Sequence, residues 1–449
     1  MGQLFGTDGI RGEANRYPMN AIIAFSVGQA LTYLLRTPHH KPRIIIGKDT
    51  RISGYMLESS LEAGITSMGG ISYLVGVLPT PGIAFLTQSM RADSGIVISA
   101  SHNPFPDNGI KIFSGSGFKL SDEQEDTIEK LILGGKLPDM VPPAAEIGHA
   151  YRIEDARGRY IVFLKNTFPR ALSMEGMKIV LDTGNGAAYK VAPDTFWELG
   201  AEVDVIHNEP NGLNINDNCG SQYTNDLKKR VLETGAAIGL AFDGDADRLI
   251  AVDEKGNEIT GDQIAIICAK ALKEAGLLKN DLLVTTVMSN LGLIIACKKY
   301  GIKHHAAKVG DRYVLEEMRR LGSVIGGEES GHLIFLDHHT TGDGTLTAMQ
   351  LIAVMVKTGK PLSELAKFMD VFPQKLINVP VKSKPELDTV PQVMDIIKQV
   401  EQELGEDGRV LVRYSGTQNL CRVMVEGPTI ELTEKYCQQI AHVLQTAIK

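Results

Sequence analysis

The sequence predicts an α/β protein: three similar mixed-sheet α/β domains and a smaller C-terminal α+β domain, set around a central cleft. Three observations carry this expectation. First, three apolar, β-branched runs each open a block: RIIIG (43–47), KIVL (178–181) and LLVTTV (282–287). Such runs read as strands buried on both faces. Second, each is followed by a polar or glycine-containing turn (KDTRISG, DTGNGAA, MSNLG), a helical stretch and two further strand-like runs. Those runs are 71–77 and 95–99, then 201–206 and 237–242, then 302–309 and 323–325. Strand, helix, strand, helix, strand marks parallel α/β layers. Third, the pattern changes after about residue 372, where NVPV, a helix near 390–404, the strands RVLVRYS and CRVMVEG and a last helix make a small α+β domain.

The 449 residues accommodate these parts as domains at 1–150, 151–252, 253–370 and 371–449. The proline-rich LPDMVPPAA (137–145) reads as a linker before a helix near 153–165, and FPQKLINVP marks the last boundary.

Composition removes several functions. With 46 basic against 54 acidic residues the formal charge is -8, so no basic surplus exists to grip nucleic acid through its phosphates. Aromatic content is 6% with a single tryptophan, Trp197, which argues against base stacking. No apolar run approaches the roughly 18 residues a membrane helix needs. The N-terminus lacks the basic and apolar regions of a signal peptide, and Gly6 stands where a myristoylation signal wants Ser or Thr. The five cysteines (219, 268, 297, 421 and 437) never form C-x-x-C, so they read as reduced thiols of a cytoplasmic protein, and zinc is set aside. The doublets at 39–40, 304–305 and 338–339 lack the helical spacing of metal-binding histidines and read as surface loops.

Four motifs fall just past strands, where ligands bind in open α/β sheets. DGDADR spaces Asp243, Asp245 and Asp247 by two after an apolar strand. Carboxylates so close repel, and oxygen-only ligands suit a hard cation such as Mg²⁺. An EF-hand is excluded, because Arg248 occupies the position of its sharp-turn glycine. SASHNP offers Ser101 as a nucleophile or phosphate carrier. Taken alone, such a serine is more often a turn or helix cap. The adjacent His102 invites a hydrolase reading, but no G-x-S-x-G elbow exists. Lys111 in DNGIKIF could enter the same cleft as an acid/base group. GEESGH sets Glu328, Ser330 and His332 among glycines, either to grip sugar hydroxyls or as an ordinary strand-to-helix loop. RYSGTQN supplies Arg413, Ser415, Gly416 and Thr417, the parts of a phosphate cradle, with Arg422 as a second cation. GNGAAY is only half a dinucleotide fingerprint, and KVGDRY either joins the cleft or caps a helix through Asp311.

Taken together, GTDGIRG, SASHNPFPDNGIKIF, DGDADR, GEESGH and RYSGTQNLCRVMVEG resemble the α-D-phosphohexomutase superfamily in order and spacing over essentially the whole chain. Within it, FGTDGIRG and LDHHTTGDG look like the bacterial phosphoglucosamine mutases. The resemblance implies that Ser101 is carried as a phosphoserine. It implies one Mg²⁺ held by Asp243, Asp245, Asp247 and a phosphoserine oxygen. It places Arg11, His102 and Lys111 near the reacting group, Arg248 near the transferring phosphate, and Glu328, Ser330 and His332 on the sugar. The implied reaction interconverts glucosamine 6-phosphate and glucosamine 1-phosphate on the route to cell-wall amino sugars. Glucosamine or glucose 1,6-bisphosphate serves as intermediate and activator. The implied partner is a small sugar phosphate, with no nucleic acid and no membrane, and a homodimer is left open. One departure stands out: the family's SGTEP is SGTQN here, so Gln418 and Asn419 replace a stiffening proline turn.

Overall fold

Three sheets repeat one strand order in the computed structural model, which describes residues 2–6, 8–415 and 419–448. The first sheet comprises β1 (Phe5–Gly6), β2 (Gly9–Glu13), β3 (Arg43–Lys48), β4 (Ile71–Val77), β5 (Ser94–Ile98), β6 (Asp107–Ser114) and β7 (His149–Arg152). In space they run β1-β2-β6-β5-β3-β4-β7. Its helices are α1 (Ala21–Leu35), α2 (Ser53–Ser67), α3 (Thr80–Ser89) and α4 (Asp122–Leu133). The isoleucines of RIIIG explain the burial: Ile44 and Ile46 sit in one core with Leu57, Leu61, Ile96 and Ile98. Helices α1 and α2 touch through glycines, since a Cβ on Gly64 would lie 2.1 Å from the Phe25 carbonyl oxygen.

The second sheet holds β8 (Lys178–Asp182), β9 (Glu202–Ile206), β10 (Ile238–Phe242), β11 (Leu249–Asp253) and β12 (Glu258–Ile259), ordered β12-β11-β10-β8-β9. It carries α5 (Ala156–Thr167), α6 (Ala188–Glu198) and α7 (Asn225–Thr234). The third is β13 (Leu282–Thr286), β14 (Lys303–Ala307), β15 (Ile325–Gly327) and β16 (Leu333–Phe335), ordered β14-β13-β15-β16. Around it come α8 (Gly261–Glu274), α10 (Asp311–Leu321), α11 (Gly344–Thr358) and α12 (Leu362–Leu365), while the chain between β13 and β14 forms α9 (Leu291–Lys299).

In each block the first strand pairs in parallel with the second and third, and a fourth strand pairs antiparallel with the third. The motif loops are therefore hairpin connections: SASHNP joins β5 to β6, DGDADR joins β10 to β11, and GEESGH joins β15 to β16. The strand-to-helix reading of GEESGH is corrected. These loops are too short for a parallel crossover, which takes about a dozen residues or more.

Other expectations shift. The third-block strand is Ile325–Gly327, not 323–325, and α5 begins at Ala156. The proline-rich stretch does not leave the first sheet, because β7 beyond it pairs in parallel with β4. All four β7 residues are exposed, so hydropathy could not reveal this edge strand. Two histidine doublets are not surface loops. His304 and His305 lie on β14, and His339 is buried with Nε2 2.8 Å from the Pro81 carbonyl oxygen.

By its contacts the chain divides into two units. One runs to Val287 and resumes at Ile302–Lys367, and the other combines Met288–Gly301 with the chain from Phe368 onward. The second unit contains the antiparallel sheet of β17 (Gln374–Pro380), β18 (Arg409–Tyr414) and β19 (Leu420–Glu426), ordered β17-β19-β18. Helices α13 (Pro391–Leu404) and α14 (Ile430–Ala447) cover a core that includes Val379, Val400, Val423, Val425, Ile440 and Leu444. Helix α9 belongs to this unit. Glu426 accepts from its Leu291 N–H at 3.2 Å and from Arg409 Nε at 2.8 Å, while Arg409 Nη2 donates to the Ser289 carbonyl at 2.7 Å. Among the described residues no helix is long and apolar enough to cross a membrane.

Candidate active site

Strand β5 delivers Ser101 to a tight turn with φ 53°, in the left-handed region that favours glycine. The turn is held from behind. Arg51, wholly buried, donates through Nη2 to the carbonyls of Ser101 (3.0 Å) and Asn103 (2.8 Å), and through Nη1 to those of Asp107 (3.1 Å) and Pro104. Its Nε donates to Asp49 at 2.8 Å, Asp49 accepts from Ser99 Oγ at 2.7 Å, and Ser99 Oγ accepts from the Ser101 N–H at 2.9 Å. From the loop between β9 and α7, Asn216 Nδ2 donates to the Ser101 carbonyl at 2.9 Å. Gly244 must be glycine here: a Cβ would stand 2.6 Å from the Ser101 carbonyl oxygen.

Facing outward, Ser101 Oγ donates to Asp243 Oδ2 at 2.6 Å, and His102 Nδ1 lies 3.4 Å away. Asp243, Asp245 and Asp247 are all buried, and one oxygen of each lies within 4.8 Å of the others. Asp245 Oδ2 accepts from Thr80 Oγ1 (2.7 Å) and Lys111 Nζ (3.0 Å). Asp245 Oδ1 and Asp247 Oδ1 are buried without a hydrogen-bond partner. Burial, then the charges of Asp247 and Asp245, push the Asp243 carboxyl well above its ordinary pKa. Burial works the same way on Asp247, but His332 and Lys111 outweigh it and hold its pKa low. The oxygen-only donor set and the two orphaned oxygens fit a hard divalent cation.

Cations ring the triad. Lys111, on β6, reaches Asp245 at 3.0 Å, Asp8 at 3.4 Å and Asp247 at 3.8 Å. Burial alone would depress its pKa, but Asp245 and Asp8 raise it, so the ammonium is permanently charged. Asp8 also pairs with Arg11 and with Lys119, and Lys119 pairs in turn with Asp311. His102 is the opposite case: burial and the charges of Arg248 and Arg11 lower its pKa to about 4, leaving a neutral imidazole. Arg248 Nε sits 3.8 Å from Asp247.

The third loop packs onto the second. Leu249 N–H donates to the Gly331 carbonyl at 3.1 Å, and Gly331 has φ 91° with room only for hydrogen. This carries His332 to 3.5 Å from Asp247 and 3.7 Å from Asp311. Burial opposes its protonation, yet Asp247, Asp311 and Glu328 raise its pKa to about 8. Glu328 accepts from the Gly310 N–H at 3.1 Å, and Ser330 is exposed at the loop tip. Asp311 thus opens α10 and also faces the site.

Ser101, Arg11, His102, Lys111, the three aspartates, Arg248, Glu328 and His332 therefore converge in the first unit. Sequence reasoning missed Asp49, Arg51, Thr80, Asn216 and Lys119. The signal for two of them was present in KDTR, a charged pair directly after a buried strand.

Arg413, Ser415 and Arg422 belong to the second unit. Gly416, Thr417 and Gln418 lie outside the described residues. Arg413 and Arg422 face each other across the β18–β19 ladder, and the Nε of each is buried without a hydrogen-bond partner. Burial and the Arg422 charge lower the Arg413 pKa, as expected of two like charges facing each other. Lys384 Nζ, not foreseen, donates to the Ser415 carbonyl at 2.8 Å.

Four family models match in sequence: phosphoglucomutase/phosphomannomutase α/β/α domain I at residues 2–138, domain II at 158–256, domain III at 260–372 and the C-terminal domain at 376–443. The chain is 75% identical to a phosphoglucosamine mutase of Syntrophobacter fumaroxidans, covering 100% of both. It is 64% identical to that of Syntrophus aciditrophicus, covering 99% of both. Among solved structures, a phosphoglucomutase/phosphomannomutase family protein of Burkholderia thailandensis shares the fold at TM-score 0.81 and 22% identity, over 99% of this chain and 97% of that one. An Aspergillus fumigatus N-acetylphosphoglucosamine mutase, solved with GlcNAc-6P and magnesium, does so at 0.68 and 16%, over 99% and 96%. The chain belongs to the α-D-phosphohexomutase superfamily, within its phosphoglucosamine mutase family.

Proposed function

We propose that this chain interconverts glucosamine 6-phosphate and glucosamine 1-phosphate through a phosphoserine at Ser101. Its family makes it a phosphosugar mutase of the isomerase class. The observation that carries the serine's role is Ser101 Oγ held 2.6 Å from Asp243 in a buried carboxylate triad with two orphaned oxygens. In the proposed reaction, the sugar O1 bonds to the phosphorus as the Oγ–P bond breaks, giving a 1,6-bisphosphate. The O1 proton passes to neutral His102. After the bisphosphate turns over, its 6-phosphate returns to Ser101 and the proton returns to O6.

Lys111 and Arg11 offset charge on the phosphoryl oxygens, and Arg248 orients them. Asp243, Asp245, Asp247 and a phosphoserine oxygen would hold one Mg²⁺, which when bound supplies Lewis-acid polarisation of the phosphoryl group. Glu328, Ser330 and His332 would grip sugar hydroxyls. Arg413, Arg422, Ser415, Gly416 and Thr417 would hold the phosphate that is not reacting. Each expected segment, 1–150, 151–252, 253–370 and 371–449, thereby supplies one part. Glucosamine or glucose 1,6-bisphosphate would prime an unphosphorylated chain. We place the enzyme in the cytoplasm, because phosphorylated sugars do not cross a bilayer unaided.

A coupled assay tests the reading. Turnover should be fastest on glucosamine 6-phosphate, and intact mass should show one phosphoryl group that Ser101→Ala removes. Higher kcat/KM on mannose or glucose phosphates would replace it with a neutral-hexose mutase, and net phosphate release with a phosphatase.

A further inference from the structure

A second cluster of metal-ligating side chains lies away from the triad. Asp182 ends β8, His207 follows β9, and Cys219 lies in the segment leading to α7. One ligand atom of each lies within 4.8 Å of the others. Asp182 and Cys219 are buried, and His207 is a quarter exposed. His207 Nδ1 pairs with Asp182 Oδ2 at 3.1 Å, which with the Asp226 charge raises the His207 pKa, and Cys219 Sγ accepts from Asn185 Nδ2 at 3.9 Å. Its other nitrogen, Nε2, is 3.3 Å from the Asp226 carboxylate. Asp182 itself is fixed, accepting the Gly184 and Gly220 N–H groups at 2.9 Å each.

A metal-binding histidine turns one nitrogen toward the other ligands and sets the opposite one beside a carboxylate that fixes the tautomer, and His207 has this placement, with Asp182 and Cys219 on the Nδ1 side and Asp226 on the Nε2 side. We propose that Asp182 Oδ2, His207 Nδ1 and Cys219 Sγ form a site for a thiophilic divalent cation, of which Zn²⁺ is the natural occupant. The mixed O, N and S donors at this spacing suit tetrahedral Zn²⁺, with water completing the set, and disfavour Mg²⁺. Binding exchanges the Cys219 S–H bond for an S–metal bond and, in the protonated fraction of His207, the Nδ1–H bond for an N–metal bond, releasing one proton to solvent from the thiol and a second from that imidazolium fraction. The three ligands come from three segments, so spacing in the sequence hides them. The site has a consequence for the active centre. Cys219 is three residues from Asn216, whose side chain holds the Ser101 and Asn103 carbonyls. A bound ion would pin that segment.

Co²⁺ titration of the full chain in excess Mg²⁺ tests the proposal. The expected result is a thiolate-to-cobalt charge-transfer band saturating at one ion per chain, with about one to two protons released, fewer as pH rises and His207 loses its proton. Cys219→Ser should abolish the band and Asp243→Asn should leave it. His207→Gln, at a partly exposed position, should weaken Co²⁺ binding at least ~10-fold through loss of one ligand. No band in the wild type, or a band that survives in Cys219→Ser or at full affinity in His207→Gln, overturns the assignment. If Cys219→Ser does not fold, the wild-type band and the His207→Gln shift decide.

Discussion

Arg51 touches no atom that reacts, yet it should control the reaction. Its guanidinium is wholly buried and gives five hydrogen bonds: one to Asp49 and four to the carbonyls of residues 101, 103, 104 and 107. Arg51→Met removes the charge while filling similar space. It leaves Asp49 buried beside Ser99 without its cation and takes one donor from each of four carbonyls, of which those of Ser101 and Asn103 keep Asn216 and that of Pro104 keeps the Asp107 N–H. Burial already raises the Asp49 pKa, and Arg51 is the largest influence opposing that. Breaking a buried pair from one side costs about 3–5 kcal/mol. In a unit of roughly 350 residues, with an unfolding entropy near 0.7 kcal/mol per kelvin, this lowers Tm by about 5 °C. Releasing the turn should also move Ser101, and a displacement of about 1 Å at a reacting group costs on the order of 100-fold in kcat. Scanning calorimetry reads the first effect and the coupled assay the second, with KM for the sugar phosphate unchanged. Adding Asp49→Asn should recover part of the stability but not kcat, because the guanidinium that ties the four carbonyls of the turn together is still missing. Arg51→Met with wild-type Tm and kcat would refute the reasoning, as would a double variant that recovers both.

Three further outcomes follow from the same geometry. Asp243→Asn should abolish turnover yet raise the Tm of the metal-free protein, since burial and the charges of Asp247 and Asp245 oppose ionisation of this carboxyl. A fall in metal-free Tm would count against the repulsion described for the triad. Asp343, which caps α11 and accepts from Tyr160 Oη at 2.6 Å, has its pKa raised to about 6, chiefly by burial. The fold therefore holds this proton more tightly than the unfolded chain, whose aspartates titrate near ~4. Up to about 3 kcal/mol of stability should be lost as pH rises from 4 through 6. Asp343→Asn should flatten that slope in melts across pH 4–8, and an unchanged slope would reject it. Arg422→Ala removes one of two facing guanidiniums, so inhibition by inorganic phosphate should weaken about 10-fold and KM should rise, with Tm shifted little. Unaltered phosphate inhibition would mean that the anion binds elsewhere.

The parts of this protein that depend on chemistry close together in the chain were legible from the residues. Three aspartates alternating after AAIGLAF announce a cation site wherever the chain folds, because their repulsion is local. RIIIG, KIVL and LLVTTV declare buried strands through hydropathy alone. The short motif loops could have been recognised as hairpins by length, and the exposed edge strand β7 could not. What stayed hidden are partners distant in sequence. Asp49 and Arg51 support Ser101 from fifty residues away, Asn216 from more than a hundred, and Lys119 meets Asp311 from another block. Burial decided the rest. A lysine among three carboxylates stays charged, and a histidine near two arginines becomes neutral, though nothing in SHNP or GIKI distinguishes them. Fold class, the motif loops and the donor types follow from residues near one another in the chain. Which groups share a low-dielectric space follows from folding alone, and charge state depends on that sharing.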